Sequence, residues 1–322
     1  MQKILFRADA GAGIGYGHFI RTLALADMLR GDYDCFFYTA EPTPYQEEQV
    51  KSICPLVALE ENNKFHHFLD CLKGDEIVVL DNYFFTTDYQ RRIKAKGCKL
   101  VCIDDMHDKH YVADLIINQG IYLTEDDYSC EPYTRFAFGL QYSLLRKPFF
   151  DACNKRKEKK DHNENQRIVV AFGGSDFLDL THKIVEGIKD MPTVKHITAI
   201  VGDRYSTEKA ISCKKVEYRK NLSAAEIADL FINSDVAILP ASTMMNEAMA
   251  CGTRIIGGFY VKNQEDDYYS YVKENMVIGV GDYSDDDCVE RVKYALSRKD
   301  VTIVNEISSD TPCRMVELFK SL

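Results

Sequence analysis

The sequence predicts an α/β protein of two domains in tandem, each a parallel sheet covered by helices on both faces. Three observations carry this. Short apolar runs alternate with segments of helical spacing from the first residues. A wholly polar tract, residues 151–167, then interrupts the alternation, and beyond it the alternation restarts. With 322 residues the chain suits two domains of ordinary size, and with 46% apolar residues each half can bury its own core.

In order, residues 3–9 read as a strand, 18–30 as a helix, 33–40 as a strand, 65–72 as a helix and 76–83 as a strand. Residues 87–97 read as a polar-faced helix that stops at Gly97, and 98–105 and 113–120 as strands. The tract at 151–167 has no residues for a core and reads as an interdomain linker. After it come a strand and Gly-rich turn (167–176), a helix (181–190), a strand (196–203) and a helix (223–234) capped by Ser223. A strand (235–242), a helix ending at Gly252, and a strand (254–260) follow. Residues 310–322 place Met315, Val316, Leu318, Phe319 and Leu322 on an amphipathic helix. The expected domains are 1–152 and 166–322, with a cleft between them and a last helix that can cross back to the first.

Net charge is −10 and no Lys/Arg stripe stands out. This argues against nucleic acid and anionic membrane as partners, but not against a small nucleotide, which needs only local amides and one or two cations. Met1 leads straight into a buried-type strand, and no apolar run approaches the length of a bilayer span. The eleven cysteines are scattered without a CxxC pair or zinc spacing. A reduced, cytoplasmic, monomeric protein without metal or cofactor is expected.

Three stretches could carry chemistry. In residues 7–21 a strand ends at Asp9, a loop holds Gly11, Gly13, Gly15 and Gly17, and a helix begins near His18. Glycines let backbone approach a ligand, and the helix start offers free amides. Gly13-x-Gly15-x-Gly17 lacks the dinucleotide spacing G-x-G-x-x-G, so NAD is not indicated. A histidine directly after the last glycine is unusual. The helix start disfavours its protonated form, which suits a general base; the alternative is a residue that only caps or packs there. The second stretch is Gly173, Gly174, Ser175 and Asp176, a turn able to cradle phosphate, or an ordinary strand-to-helix turn. The third is residues 239–252. Ser242 and Thr243 stand at another strand-to-helix junction, followed by Met244 and Asn246, and Glu247 lies one turn in, where it could accept from ribose hydroxyls. The alternatives are an N-cap for Ser242 or Thr243 and a solvent-facing position for Glu247.

The first stretch resembles the signature of the UDP-sugar hydrolases of pseudaminic acid biosynthesis, which act on UDP-2,4-diacetamido-2,4,6-trideoxy-β-L-altropyranose. Their opening pattern R-[AS]-D-[AS]-x-x-x-I-G-x-G-H-x-x-R is met at Arg7, Asp9, Ile14, Gly15, Gly17, His18 and Arg21. The runs LDNYF (80–84), IDDMH (103–107), FGLQYSLLRKPF (138–149), FGGSD (172–176) and FYVKNQE (259–265) also resemble the family, and the likeness extends from residue 1 to the 260s. It implies a GT-B fold, two Rossmann-like domains related to the glycosyltransferase that adds N-acetylglucosamine in peptidoglycan synthesis. It implies His18 as catalytic base, no metal, and UDP on the C-terminal domain at Gly173–Asp176 and Ser242–Glu247. Where many members carry two glycines before the Ser-Thr pair, this chain has Pro240-Ala241.

For the sugar, Gly15, Tyr16, Gly17, Tyr83, Asp104, Asp105 and Asn263 are the candidates. Asp81-Asn82-Tyr83 and Asp104-Asp105 each follow an apolar strand, so they read as sugar contacts, with Asp104 or Asp105 orienting His18, or as turn residues and caps. The cluster Asp104, Asp105, His107, Asp108 and His110 has no recognised metal-ligand spacing and reads as a solvated turn. The expected reaction is inverting hydrolysis of the UDP-sugar with UDP as the leaving group. A GT-B glycosyltransferase using the same donor, a hydrolysing 2-epimerase and a binding module without chemistry are the alternatives.

Overall fold

The apolar runs become strands of two parallel sheets. A computed structural model describes residues 1–11, 15–155, 166–173, 176–202, 205, 210–298 and 307–322. The chain divides into two compact units: Met1–Lys147 with Asp310–Leu322, and Pro148–Ser309.

The first unit opens with β1 (Lys3–Ala8), α1 (Gly17–Leu29), β2 (Asp34–Ala40), α2 (Pro44–Lys51), β3 (Leu56–Leu59), α3 (Lys64–Cys71), β4 (Ile77–Asp81), α4 (Thr87–Ala95) and β5 (Lys99–Ile103). It continues with the two-residue β6 (His110–Tyr111), β7 (Leu115–Asn118), the two-residue β8 (Ser129–Cys130) and β9 (Arg135–Phe138); α5 (Lys147–Cys153) spans the boundary. The main sheet runs β3-β2-β1-β4-β5-β7-β9 with every pairing parallel. Side chains alternate across it as period-2 geometry requires. Ile4 and Phe6 of β1 join Phe19, Leu23 and Leu29 of α1 in one core, while Leu5 joins Phe68, Tyr89 and Ile93 on the other face.

The second unit holds β10 (Gln166–Ala171), α6 (Leu180–Ile188), β11 (Val194–Ile200), β12 (Val216–Arg219), α7 (Ala224–Ile232), β13 (Val236–Pro240), α8 (Thr243–Ala250), β14 (Arg254–Phe259), α9 (Glu265–Lys273), β15 (Ile278–Asp282) and α10 (Cys288–Ser297). Its sheet runs β12-β11-β10-β13-β14-β15, again all parallel. In each sheet the first strand has the later ones on both sides: β1 lies between β2 and β4, and β10 between β11 and β13. Each unit therefore has a topological switch point, where a crevice opens beyond the carboxyl ends of the strands and ligands bind.

The last helix, α11 (Thr311–Lys320), belongs to the first unit. Met315 and Phe319 are buried in the α1-side core, and Phe319 sits edge-on to Tyr33 at 6.4 Å. The charged tract behaves differently from a linker at both its ends. Phe149, Phe150 and Ala152 bury one side of α5, and Gln166 and Arg167 already belong to β10, so its interior, 156–165, is the part that falls outside the described residues. The short or polar elements α2, β3, β12, α9, β15 and α10 were not read from periodicity. Of these α2 had a usable signal, since Thr43 and Gln46 form a capping box with Pro44 at the first helical position between them. Among the described residues no helix is long and apolar enough to cross a membrane.

Phe319→Ala should remove about 3–5 kcal/mol from the first unit by leaving a cavity in its core. Hydrogen exchange is the check: protection should fall in β1, β2 and α1 and persist in β10–β15.

Candidate active site

At the first switch point β1 and β4 lie side by side, with Ala8 paired to Asp81. The residues just past those strand ends are stitched together. The Asp9 amide donates to Asn82 Oδ1 at 2.7 Å, and Asn82 Nδ2 donates to the Asp9 carbonyl at 3.3 Å. The loop after β1 closes on itself where the Gly15 amide donates to the Gly11 carbonyl at 2.8 Å; Gly15 has φ +79°, a conformation that suits glycine. Gly13 and Ile14 lie outside the described residues. α1 then starts at Gly17, and Tyr16 before it provides no capping side chain.

His18 is buried, with 6% of its surface exposed. Its Nδ1 lies 2.7 Å from Oδ1 of Asp81. A carboxylate only accepts hydrogen bonds, so Nδ1 donates to it, and Nε2 is the ring nitrogen left to face a ligand; Arg21 Nη2 stands 3.1 Å from the same Nδ1. Nε2 has no partner among the described residues and retains solvent access. Asp81 is itself held on every side. Arg21 donates from Nε to Oδ2 and from Nη2 to Oδ1, both at 2.6 Å, and Thr22 Oγ1 donates to Oδ2 at 2.9 Å. Burial would raise the Asp81 carboxyl, but the Arg21 guanidinium and the His18 hydrogen bond hold it below the usual range, and the same pairing pushes Arg21 well up against its own burial. The orienting carboxylate is thus Asp81, not Asp104 or Asp105. The signal for it was an aspartate ending a wholly buried strand that must neighbour β1.

Asp105 works one step further out. Its Oδ2 accepts from Arg21 Nη1 at 3.0 Å and from the Tyr83 hydroxyl at 3.3 Å, and its buried Oδ1 has no partner among the described residues. Tyr83 stands edge-on to the His18 ring at 4.6 Å, and burial together with Asp105 raises its hydroxyl to about 12. Asp104 does something else. Its carboxylate accepts from Tyr111 at 2.5 Å, Tyr128 at 3.0 Å, and the amides of Met106 and His107 at 3.1 and 2.8 Å, which ties the loop after β5 to the sheet and leaves little capacity for a sugar. Among the described residues no group of three or more His, Cys, Asp and Glu is arranged to hold a metal ion.

Arg7 and Asp9, the opening pair of the motif, are structural. Arg7 is fully buried and grips both oxygens of Asp9, which also accepts from the Ala40 amide at 2.7 Å and faces Lys64 Nζ at 3.1 Å. Burial pushes the Asp9 carboxyl up, but Arg7, the Ala40 amide and Lys64 outweigh it and bring it below its ordinary 3.8.

At the second switch point the helix ends differ from one another. Asp176 takes the start of α6: its two oxygens accept from the Leu180 and Thr181 amides at 2.8 and 2.9 Å. Those two amides are therefore already answered by an internal carboxylate. Gly173 has φ +81° and open space where a Cβ would be; Gly174 and Ser175 lie outside the described residues. α8 is open. Ser242 precedes it without capping it, since its hydroxyl turns back to the Pro240 carbonyl at 3.2 Å. Pro240 has no amide hydrogen, so the proline removes one donor that a glycine would have, and the Ala241 amide is already spent on the Gly258 carbonyl at 2.8 Å. The amides left are those of the first turn, at Thr243 and Met244, which have no intrahelical acceptor. Glu247 is 4% exposed, not a solvent-facing position, and Asn246 is buried and accepts from the Tyr271 hydroxyl at 3.0 Å. Asn263 is exposed on the turn after β14.

Asp9 and Asp81 are both lower in the folded state than in the unfolded chain. They contribute stability above about pH 4, and that contribution is lost as pH falls through their folded values. The urea midpoint should therefore drop steeply below pH 4. Asp9→Asn should lower the midpoint at pH 7 and flatten the acid limb; an unchanged limb would remove Asp9 from the account.

No family model matches the chain. Over 281 residues, 82% of this chain and 94% of the relative, it is 27% identical to the UDP-2,4-diacetamido-2,4,6-trideoxy-β-L-altropyranose hydrolase of Campylobacter jejuni. Over 305 residues, 90% of this chain and 87% of the relative, it is 24% identical to the spore coat polysaccharide biosynthesis protein SpsG of Bacillus subtilis. Its fold matches the crystal structure of Acinetobacter baumannii MurG with a TM-score of 0.67, 10% identity and full coverage of both chains. The chain thus has the GT-B fold and, along most of its length, is similar in sequence to the Campylobacter hydrolase.

Proposed function

We propose that this chain is a hydrolase that cleaves a UDP-linked diacetamido-trideoxy sugar to free sugar and UDP, as the name of its Campylobacter relative describes for that enzyme. The observation that carries the reading is the buried His18–Asp81 pair, with no partner for Nε2 among the described residues. A water at Nε2 gives up a proton to His18 as its oxygen bonds to the anomeric carbon. The bond from that carbon to the diphosphate oxygen breaks, UDP leaves with the electron pair, and the configuration inverts. Asp81 stabilises the imidazolium that forms and holds the ring in place, the role an aspartate has beside a catalytic histidine.

The nucleotide is assigned to the second unit. The Thr243 and Met244 amides with the Ser242 hydroxyl serve the diphosphate, and Glu247 serves the ribose. Helix-end amides directed at the departing diphosphate do the work of an electrostatic stabiliser without proton transfer. Gly15 and Gly17 allow the sugar close to the first loop, and Tyr83, Asp105 and Asn263 serve its polar groups. Production of the free sugar for pseudaminic acid synthesis follows from the same likeness.

His18→Ala should lower UDP release by about 10²–10⁴-fold, the usual contribution of a general base. Calorimetry should find UDP binding intact. Turnover within tenfold of the parent would overturn the assignment. UDP release should need no acceptor and should survive a chelator; strict dependence on an added acceptor would mark a transferase instead.

A further inference from the structure

Two tyrosines stand beside the His18 loop: Tyr16, a sugar candidate in the sequence, and Tyr45, which has no assigned role. Tyr16 is the residue before α1, and Tyr45 is the second residue of α2, the helix that Thr43 caps beyond the carboxyl end of β2. The two rings meet edge-to-face at 5.7 Å, yet remain 42% and 45% exposed. β2 is the neighbour of β1, so both rings stand at the carboxyl edge of the sheet, on the β2 side of His18. Among the described residues a Cβ at Gly15 or Gly17 would meet nothing within 4 Å.

We infer that Tyr16 and Tyr45 form an aromatic wall for the apolar face of the substrate's sugar, and that Tyr45 sets the preference for a 6-deoxy, N-acetylated ring. This rests on the UDP-sugar reading above and deepens it. Sugar C–H bonds carry a slight positive charge and pack on the negative face of an aromatic ring. A 6-methyl group and acetamido methyls extend that apolar face, whereas a hydroxymethyl group brings a hydroxyl that a bare ring leaves without a partner. Pockets for small ligands are built this way, mostly aromatic and apolar with a few convergent polar groups. Here the polar groups lie on the other side of His18, at Tyr83 and Asp105.

The test is binding, so that it does not depend on turnover. In a His18→Ala background, calorimetry compares UDP, UDP-glucose and UDP-2,4-diacetamido-2,4,6-trideoxy-β-L-altropyranose with Tyr45 intact, as Tyr45→Phe and as Tyr45→Ala. Tyr45→Ala should leave UDP affinity unchanged, weaken the diacetamido sugar nucleotide roughly 3- to 10-fold, the worth of one aromatic contact, and weaken UDP-glucose less. Tyr45→Phe should bind like the parent. Equal weakening of all three ligands, or none, would overturn the inference, as would a Phe variant as poor as the Ala variant. Hydrolysis by the unmodified chain reports separately on the catalytic reading, so either can fail alone.

Discussion

Everything at the first switch point depends on one buried negative charge. Asp81 has no solvent to satisfy it, and four hydrogen bonds from His18, Arg21 and Thr22 fill its two oxygens. Removing one partner of such a buried pair costs about 3–5 kcal/mol, because the other is left charged and unpaired. This constraint fixes the His18 tautomer and holds α1 against β4. Through Arg21 and Asp105 it extends to the Tyr83 hydroxyl. The geometry around His18 is therefore a by-product of satisfying a charge. The side chain that orients the ring is rigid because the fold cannot dispense with it.

A second constraint concerns helix starts. α2, α4 and α7 each have their first amides answered by Thr43, Thr86 or Ser223, and α6 by Asp176. α1 and α8 begin without such a side chain, as do α3, α9, α10 and α11. Of these, α1 and α8 follow directly from β1 and β13, two of the strands that flank the switch points. An uncapped helix start concentrates unanswered amides and the positive end of the dipole. The first unit puts a histidine there. The second has no acidic residue in the first turn of α8, as an anion site requires.

The strands and long helices were legible because their apolar residues repeat at period 2 or near 3.6. The runs at 3–9, 76–83 and 235–242 became β1, β4 and β13, and Ser223 caps α7 as its position before an apolar run implies. Polar α9 and α10 lacked that contrast. The motif made His18 legible but not its partner. Asp81 is 63 residues away, and only the strand order brings it alongside. Asp104 and Asp176 show the converse limit. An aspartate after a strand looks the same in sequence whether it faces a ligand, binds two tyrosines or caps the start of a helix; the difference lies in which donors the fold delivers to it.

The placement of α11 bears on how the chain is made. Met315 and Phe319 complete a core whose other members lie within the first 144 residues, with the whole second unit between them. During synthesis the second unit has all of its strands before the first has its last helix. The first unit waits, with an apolar gap beside Tyr33 and α1, until residues 311–320 emerge. The half that carries His18 is thus begun first and closed last, and its vulnerability to aggregation on the ribosome lasts longer than that of the half assigned to the nucleotide.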